Sequence, residues 1–486
     1  MQKTLQLVAS IFLFTAIGLT QTSGKVNVTS PVSGSTVTSP VHFVASAQSP
    51  AHRHITAMRI YVDYKSVYSV QAAKLDTYVS MTQGSHRITV QAWDSSGSVY
   101  KKGLSLTVTG TSPTPTPTPS PSPSPTPTPS PSPTPSGTNY YVSTGGSDSN
   151  SGSSSAPWAT IQHAANVAKT GSVVHVASGT YGAVTTSISG TSTARIRFVS
   201  DVKWGAKIRT TGVSQMWYNT GNYIDIMGFD ISGDGRLGIL NMGSFVRIIG
   251  NNVHNIPASC TSSGGAGIDN ANYSASDDDI IGNVVHDIGN PTVQCYSVQG
   301  IYHSNLRGHI LNNISYRNEA WGIQLWHAAN NVVISNNLVF QNGAGGIVVG
   351  DGDSPGGVTD DYTTVSNNIV MDNHSTWGSG RAIYESGATG THNKYLNNLI
   401  WNNTQGIVLQ NGLQDVNTIN ADPQLVNYQP NGSGDYRLQS TSRAINSGTT
   451  SGMPPKDFDG APRPFSTGPD RGPYEFGSTA TPWPWM

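Results

Sequence analysis

The sequence predicts an all-β protein, in which a right-handed parallel β-helix with a capping helix follows a small β-sandwich. Three observations predict this class: a repeated segment within residues 138–476, alternating apolar and polar runs within 25–109, and a proline-rich segment between them. The 486-residue chain has 26 basic and 27 acidic residues. This balance predicts neither a nucleic-acid partner nor binding to an anionic membrane surface.

The first residues, "MQKTLQLVASIFLFTAIGLTQTSG", have the layout of a secretory signal. Lys3 stands near the start, an apolar stretch continues to Leu19, and small residues surround Gly24. We therefore expect residues 1–24 to be a signal peptide and the protein to be secreted, extracellular and bacterial. No later run is apolar and long enough to span a bilayer, so we expect no membrane span. We also expect the protein to be a monomer.

Residues 25–109 predict the sandwich, because runs such as "VHFVASA" and "MRIYVDY" alternate apolar and polar residues between turn clusters. The stretch "GSHRITVQAWDSSG" resembles the closing strands of bacterial immunoglobulin-like modules. That resemblance specifies no ligand, and we expect this domain to be a spacer or a weak carbohydrate-binding module. Residues 110–137 are almost entirely Pro, Thr and Ser, which predicts an extended polyproline II linker of about 3 Å per residue.

The β-helix prediction rests on two landmarks that recur together. One is an asparagine in segments such as "GNVVHDI" and "NNLVFQN", and the other is an isoleucine that follows a small residue. The asparagines are Asn252, Asn283, Asn313, Asn337, Asn368 and Asn398, and the isoleucines are Ile268, Ile301, Ile323, Ile347, Ile383 and Ile407. A unit of two or three short strands cannot bury its apolar side alone, whereas stacked copies share a core. Asparagine suits the bends because it tolerates left-handed backbone and its amides can hydrogen-bond along the stack.

The exposed N-terminal edge of such a stack needs a cover. The segment "APWATIQHAANVAKTG" predicts a capping helix there, with Pro157 in the first turn and Gly171 at the end. One face of this helix is apolar and comprises Ile161, Ala164, Ala165 and Ala168. We expect the β-helix domain to cover residues 138–476 and a C-terminal tail to follow over 477–486.

Cys260 and Cys295 are about one repeat apart, on adjacent coils of the predicted stack. In an oxidising compartment two cysteines can form a disulfide. A pair of buried thiols is the alternative, and the sequence leaves both open.

The opening "YYVSTGGSDSNSGSSSAPWATIQHAANVAKTGSVVHVASGTYG" resembles that of pectate-lyase-like β-helix proteins, which include polysaccharide lyases and glycoside hydrolases. The closing "DFDGAPRPFSTGPDRGPYEFG" is similar to the end of secreted bacterial members of this superfamily. The resemblance implies a β-helix that acts on carbohydrate, with a polysaccharide as partner. Its motifs belong to the scaffold, so the reaction type stays open.

Candidate site residues follow from alignment of the coils on the isoleucines. Two residues after isoleucine, Leu325, Val349 and Leu409 are apolar, as an inward position requires, but His303 and Glu385 break the pattern. We expect these strand ends to open into a side cleft. A lateral groove lined by His303, His327, Asp351 and Glu385 is therefore predicted, and at least one of these side chains transfers a proton. Substrate-binding residues on the same strip are Tyr302, Gln324, Trp326 and Tyr384. The alternative is that Trp326 packs under a loop and that His303 and Glu385 hydrogen-bond a turn.

A calcium site is a second expectation. In "GDGDSPGGVTDDY" the oxygens of Asp351, Asp353, Asp360 and Asp361 could coordinate Ca²⁺. Aspartate and glycine are also ordinary turn residues, so the sequence permits a loop without metal.

Three functions remain open from the sequence. The first is a polysaccharide lyase that cleaves a uronic-acid polymer such as pectate, with calcium or His303 neutralising the carboxylate and His327, Arg381 or Lys394 as base. Resemblance to calcium-dependent lyases implies a lysine or arginine base. The second is a glycoside hydrolase that uses Asp351 and Glu385, and "GAGIDN" with Asp269 is faintly similar to part of the polygalacturonase pattern. The third is a non-catalytic binding or adhesion protein.

Overall fold

The computed structural model describes residues 25–39, 41–49, 53–63, 65–70, 72–79, 81–96, 98–111, 137–260, 264–352, 359–375 and 377–484. The predicted signal peptide and residues 112–136 of the predicted linker lie outside these ranges. The chain divides into two compact units, Met1–Thr128 and Pro129–Met486. Over the described ranges, no helix is long and apolar enough to cross a bilayer.

The first unit is a β-sandwich. Its smaller sheet contains Lys25–Ser30, Val41–Gln48 and Lys74–Val79, and its larger sheet contains Thr36–Ser39, Val99–Thr111, Gly84–Asp94, Ile55–Val62 and Lys65–Val70. Along Val41–Gln48 buried and half-buried side chains alternate, as the sequence pattern predicts. The inward residues of both sheets form one core, in which Phe43, Met58 and Ile88 have no exposed surface. The last strand reaches Thr111, two residues beyond the predicted boundary.

The second unit is a right-handed parallel β-helix with three sheets, which the chain visits in turn. Sheet 1 contains Asn139–Val142, Val173–Val176, Ile196–Ser200, Ile224–Met227, Arg247–Ile249, Ser276–Ile281, Leu306–Leu311, Asn330–Ser335, Thr364–Ser366, Lys394–Leu396 and Asp415–Val416. Sheet 2 contains Gly179–Tyr181, Ala206–Thr210, Asp230–Gly233, Asn252–Ile256, Val284–Ile288, Ile314–Tyr316, Leu338–Phe340, Ile369–Met371, Leu399–Trp401 and Ile419–Asn420. Sheet 3 contains Val184–Thr186, Gln215–Asn219, Leu237–Asn241, Gly265–Asn270, Val298–His303, Trp321–Leu325, Gly345–Asp351, Arg381–Gly387 and Gln405–Val408. Each of these strands pairs in parallel with its counterpart one coil away, which confirms the predicted fold.

The asparagine pairs divide two tasks between neighbouring residues. The Asn337 side-chain oxygen accepts hydrogen bonds from the backbone N–H of Asn313 at 2.8 Å and from its side-chain amide at 3.0 Å. Asn337 in turn donates to the side chain of Asn368 at 2.9 Å. The preceding Asn336 makes the bend, with a φ of 58°. One asparagine therefore builds the ladder while its neighbour supplies the left-handed backbone.

The first repeat departs from the predicted alignment. Its ladder member is Asn251, whose side-chain amide donates to the Asn283 side chain at 3.0 Å. Asn252 stands instead in the strand, opposite Val284. The prediction of Asn252 was wrong by one residue, because Gly250, with a φ of 64°, takes the bend that an asparagine occupies in later coils.

The residue before each isoleucine is small because a larger side chain there would collide with a neighbouring strand. A Cβ on Gly267 would lie 2.4 Å from Val285 Cγ1, and one on Gly322 would lie 2.3 Å from Val339 Cγ1. The valines stand on sheet 2, so these glycines allow sheet 3 to approach it closely inside the coil. The isoleucines that follow are buried, namely Ile268, Ile301, Ile323, Ile347 and Ile383.

The helix α1, Ile161–Val167, covers the N-terminal end of the β-helix and packs on Val184–Thr186 and Asn139–Val142. Thr160 caps it by accepting a hydrogen bond from the His163 N–H at 3.1 Å. The predicted termini were too wide, since Pro157 precedes the cap and Gly171 lies in the following turn. The buried face contains Ile161, Ala164 and Ala165, as expected.

The C-terminal segment closes against the outside of the β-helix. It begins with an antiparallel pair of strands, Leu425–Asn427 and Asp435–Leu438. The closing motif buries an ion pair between Arg463 and Glu475, 2.7 Å apart.

The described part of the predicted tail, 477–484, also packs. The indole N–H of Trp483 donates to the backbone carbonyl of Ser200 at 2.9 Å, across 283 residues of sequence. Lys203 lies between this tail and the closing motif, with its Nζ 5.7 Å from the Trp483 ring and 4.4 Å from the Phe458 ring. Burial lowers the pKa of Lys203 to about 8. The end of the chain is thus held against its early coils.

Candidate active-site groove

A groove of about 910 Å³ follows the outer face of sheet 3. It extends over six neighbouring strands, from the one that begins at Leu237 to the one that begins at Arg381. Five steps of about 4.8 Å between these strands make the groove roughly 24 Å long. Each buried isoleucine of sheet 3 is followed by a residue that faces outward, and these outward residues form the floor. They are Leu240, Asp269, Tyr302, Gln324, Val348 and Tyr384.

Asp269 supplies a desolvated carboxyl group on this floor. Its Oδ1 is buried and has no hydrogen-bond partner among the residues that the structure describes, although the residue as a whole is partly exposed. Burial raises the pKa of Asp269 to about 7, although the positive charge of Arg236 opposes this rise. A carboxyl group with such a pKa carries its proton for part of the time near neutral pH, and can therefore donate it.

His327 lies in the groove beside two tyrosines. Its ring centroid is 4.4 Å from that of Tyr273 and 6.2 Å from that of Tyr302. The residue follows the strand Trp321–Leu325 and has a φ of 57°, a left-handed conformation that histidine tolerates better than most side chains. Tyr302 is also the register partner of Asp269 on the neighbouring strand. Tyr302 therefore stands between the Asp269 carboxyl group and the His327 ring.

Arginines stand towards both ends of the groove. Arg236 donates to the Gly264 carbonyl at 3.3 Å and is close enough to Asp269 to influence its pKa. Arg381, five strands away, stacks its guanidinium 3.9 Å from the Tyr384 ring centroid and donates to Gln405 at 3.0 Å. Planar guanidinium groups bind carboxylates, so the groove suits an acidic chain.

Aromatic rings form the remaining wall, and a disulfide lies next to it in sequence. The Trp321 and Tyr384 rings are stacked with centroids 6.0 Å apart, and Tyr296 meets Trp377 at 5.1 Å. Tyr296 is 55% exposed, and its ring face suits the apolar face of a sugar. Tyr296 follows Cys295, which forms a disulfide with Cys260. Of the two alternatives that the sequence left open, the structure has the disulfide, which fixes the loop that carries Tyr296.

Trp326 both packs against the next coil and borders the groove. Its six-membered ring lies over the next coil, where a Cβ on Gly352 would be 2.2 Å from its Cζ2 and one on Gly350 would be 3.0 Å from its Cζ3. The side chain is partly exposed and also borders the groove. The glycines of the next coil thus make room for the indole beside the groove.

Of the expected site residues, the groove brings together His327, Arg381, Tyr302, Gln324, Trp326 and Tyr384. Gln324 is held there by Gln299, whose amide donates to it at 3.1 Å.

His303 does not reach the groove, and the expectation that it emerges into a side cleft is wrong. It is fully buried inside the β-helix, with Nδ1 3.1 Å from the Asn270 side-chain nitrogen. It ends an interior row of polar side chains made by Thr186, Asn219, Asn241 and Asn270. Burial lowers the pKa of His303 to about 4, so the ring is neutral at pH 7.

Glu385 and Asp351 are also interior rather than groove residues. Glu385 is fully buried and accepts hydrogen bonds from the Tyr395 hydroxyl at 2.8 Å, the Asn393 amide at 3.0 Å and the Gln410 N–H at 2.7 Å. Asp351 is only 1% exposed. The expected carboxylate pair across a scissile bond is therefore wrong, because a polysaccharide cannot reach either group.

The expected calcium ligands are dispersed. Asp360 is fully buried, and burial raises its pKa well above the usual range. Asp361 pairs with His392 at 2.7 Å. With Asp351 they do not converge on one point within the described part of the loop, and Asp353 lies outside the described residues. Calcium binding there stays a prediction.

Lys394 lies in a strand of sheet 1, with an exposed side chain. It is not part of the groove wall, because sheets 1 and 3 form different sides of the β-helix. The expectation that Lys394 acts as a base beside the other candidates is therefore not met.

Sequence reasoning noted Asp269 only for a faint similarity to the polygalacturonase pattern, and it missed Arg236 and Tyr273 as groove residues. A signal for Asp269 was present, because it follows Ile268 at the outward position that Tyr302 and Tyr384 occupy in later coils. Tyr273 and Arg236 stand outside the strands and carry no positional signal.

Two family descriptions match the chain. Residues 25–90 match "Bacterial Ig domain", which confirms the immunoglobulin-like first unit. Residues 144–376 match "Protein of unknown function (DUF1565)". No curated protein sequence matches the chain significantly.

Solved structures resemble the β-helix. Pectate lyase Pel9A is 17% identical, with a TM-score of 0.51, and the similarity covers 69% of this chain and 96% of that one. A rhamnogalacturonan lyase is also 17% identical, with a TM-score of 0.43 and coverages of 65% and 99%. At this level of identity the likeness to the pectate lyase confirms the expected pectate-lyase-like fold.

Proposed function

We propose that this protein cleaves an acidic polysaccharide by β-elimination in the groove of sheet 3, with His327 as base and Asp269 as acid. The placement of a desolvated carboxyl group, Tyr302 and a histidine between two arginines carries the proposal. We further propose that the protein acts outside the cell, which the disulfide and the predicted signal peptide support.

The chemistry needs three groups. Arg236, beside Asp269, would bind the carboxylate of the reacting uronate and so acidify the neighbouring C–H bond. His327 would take that proton, and the electron pair left behind would form the new C=C bond while the glycosidic C–O bond breaks. Asp269 would give its proton to the departing oxygen. Arg381 would hold a second uronate towards the other end of the groove.

Hydrolysis is less well supported. A glycoside hydrolase needs two carboxyl groups across the scissile bond. Among the described residues that line the groove, Asp269 is the sole carboxyl group, and Glu385 is saturated by three donors in the interior.

A purely binding protein has no need for the desolvated carboxyl group of Asp269. Placing such a group in an open groove costs stability, and sites that pay this cost are enriched in catalytic centres.

The test is cleavage of polygalacturonate, alginate, xylan and galactan by the full-length protein, with unsaturated ends followed by ultraviolet absorbance and total cuts by reducing ends. We expect unsaturated products from an acidic polymer. His327→Ala and Asp269→Asn should each lower turnover by about two to four orders of magnitude with the fold intact. His309→Gln is the matched control, because His309 is half exposed on sheet 1, away from the groove.

Three outcomes would contradict the proposal. Reducing ends without unsaturated product would indicate hydrolysis. Normal turnover in a folded His327→Ala variant would show that His327 is not the base. Absence of cleavage of every acidic polymer would show that the protein does not catalyse the proposed reaction.

A further inference from the structure

A second concavity, of about 450 Å³, lies on a different side of the β-helix. It opens between the end of sheet 2 and the strand Leu425–Asn427 of the C-terminal segment. Met371 and Leu425 form its apolar base, and both are buried. Trp401, at the end of a sheet 2 strand, borders it with 39% of its surface exposed.

Exposure of Trp401 contrasts with the rest of its row. On the same outer face of sheet 2, Tyr316 and Phe340 stack with centroids 4.8 Å apart. Phe340 is covered by Tyr428 and Tyr436, at 5.5 Å and 5.2 Å. The C-terminal segment thus shields the earlier rings but leaves a tryptophan face open at the concavity.

Polar groups surround that open face. The Asp422 carboxylate accepts the Gln424 N–H at 2.8 Å, which fixes the turn that presents both side chains. The Asp422 side chain itself is exposed and lines the concavity, so its carboxylate oxygens can accept hydrogen bonds from a ligand. Asn402, next to Trp401, is exposed and donates to Asp372 at 2.9 Å.

The charge of this concavity is opposite to that of the groove. Its described lining includes Asp372 and Asp422 but neither lysine nor arginine, whereas the groove contains Arg236 and Arg381. Two carboxylates repel a uronate, and hydroxyl groups donate readily to carboxylate and amide oxygens. The chemistry therefore favours an uncharged, hydroxyl-rich ligand.

We propose that this concavity binds a neutral sugar unit of a polysaccharide, which stacks on Trp401 and donates hydroxyl hydrogen bonds to Asp422. The site holds the polymer at a second point, separate from the groove on sheet 3. A polymer that occupies both sites carries acidic residues in one segment and neutral sugars in another. The binding does not depend on the proposed cleavage.

The experiment is native affinity electrophoresis of the full-length protein in gels that contain galactan, arabinan, xylan, dextran or polygalacturonate. We expect at least one neutral polymer to retard the wild type. Trp401→Ala should weaken that retardation about tenfold or more, as loss of an aromatic contact would, and Trp401→Phe should restore most of it. Phe465→Ala is the matched control, since Phe465 is 54% exposed and lines neither site.

Absence of retardation by every neutral polymer would overturn the proposal. Equal retardation of wild type and a folded Trp401→Ala variant would also overturn it, because the binding would then belong elsewhere. Loss of polygalacturonate binding alone in Trp401→Ala would assign the site to acidic chains instead. If Trp401-dependent retardation persists in a protein that cleaves no acidic polymer, only the proposed cleavage fails.

Discussion

The pH dependence of the rate tests whether Asp269 acts as the acid, and the variant Asp269→Asn tests how much stability the burial of its carboxyl group costs. With a pKa of about 7, the acid is about nine-tenths protonated at pH 6 and about one-tenth protonated at pH 8. If Asp269 donates the proton to the departing oxygen, kcat/KM of the wild type should fall about tenfold over this range. Arg236→Gln removes a charge that lowers this pKa, so the fall should move to higher pH.

The same pKa predicts a change in stability. Burial raises the Asp269 pKa from 3.8 to about 7, so the folded protein binds more protons than the unfolded chain between these values. The free energy of unfolding should therefore fall as pH rises through this window, by about 4 kcal/mol at most. Asparagine does not ionise, so Asp269→Asn should be more stable than the wild type at pH 8 and similar to it near pH 4.

Two measurements check this reasoning. The pH dependence of kcat/KM is followed by product absorbance, and the midpoint of β-helix unfolding is followed in urea at pH 4 and pH 8. A wild-type rate that stays level from pH 6 to pH 8 would refute the role as acid. An equal stability difference between variant and wild type at both pH values would refute the raised pKa.

Three further predictions concern the scaffold and the groove. Asn337→Ala should destabilise the β-helix by about 3–5 kcal/mol in denaturant unfolding, because partners on both adjacent coils lose buried hydrogen bonds; a loss below 1 kcal/mol would contradict the ladder. Replacing Cys260 and Cys295 by serine should cost about 3–4 kcal/mol, since the disulfide closes a loop with a sequence separation of 35, and an unchanged melting temperature would argue against this. Arg381→Ala should raise KM for an acidic polymer more than it lowers kcat; a selective loss of kcat would place this arginine at the reacting sugar instead.

The fold was predictable because its repeat is written in residues with steric or hydrogen-bonding tasks. A glycine is needed where Val285 or Val339 approaches the backbone, and an asparagine is needed where its side chain hydrogen-bonds its counterpart on the next coil. Both residue types therefore recur at a regular spacing in the sequence. The helix termini were less predictable, because Pro157 suits a first helical turn, whereas the helix starts after Thr160, whose cap hydrogen bond became evident only from the structure.

The site was only partly predictable, and His303 shows why. It was compared with Leu325 and Val349 in later coils and read as an exception. The earlier coils have Asn241 and Asn270 at the same interior position, so His303 continues a buried polar row. The role of Asp269 could not be read in this way, because its desolvation depends on the tertiary surroundings of one oxygen atom.

The contact of Trp483 with Ser200 has a consequence for how the molecule comes apart. A solenoid whose coils touch only their neighbours can peel from a loose end, one turn after another. Here the last described segment of the chain is fastened against the early coils, with Lys203 between Trp483 and Phe458. Peeling from the C-terminus must first break that fastening, and the coils beneath it stay shielded from proteases until it opens. We therefore expect resistance to progressive digestion from this end to depend on the Trp483 contact as well as on the number of coils.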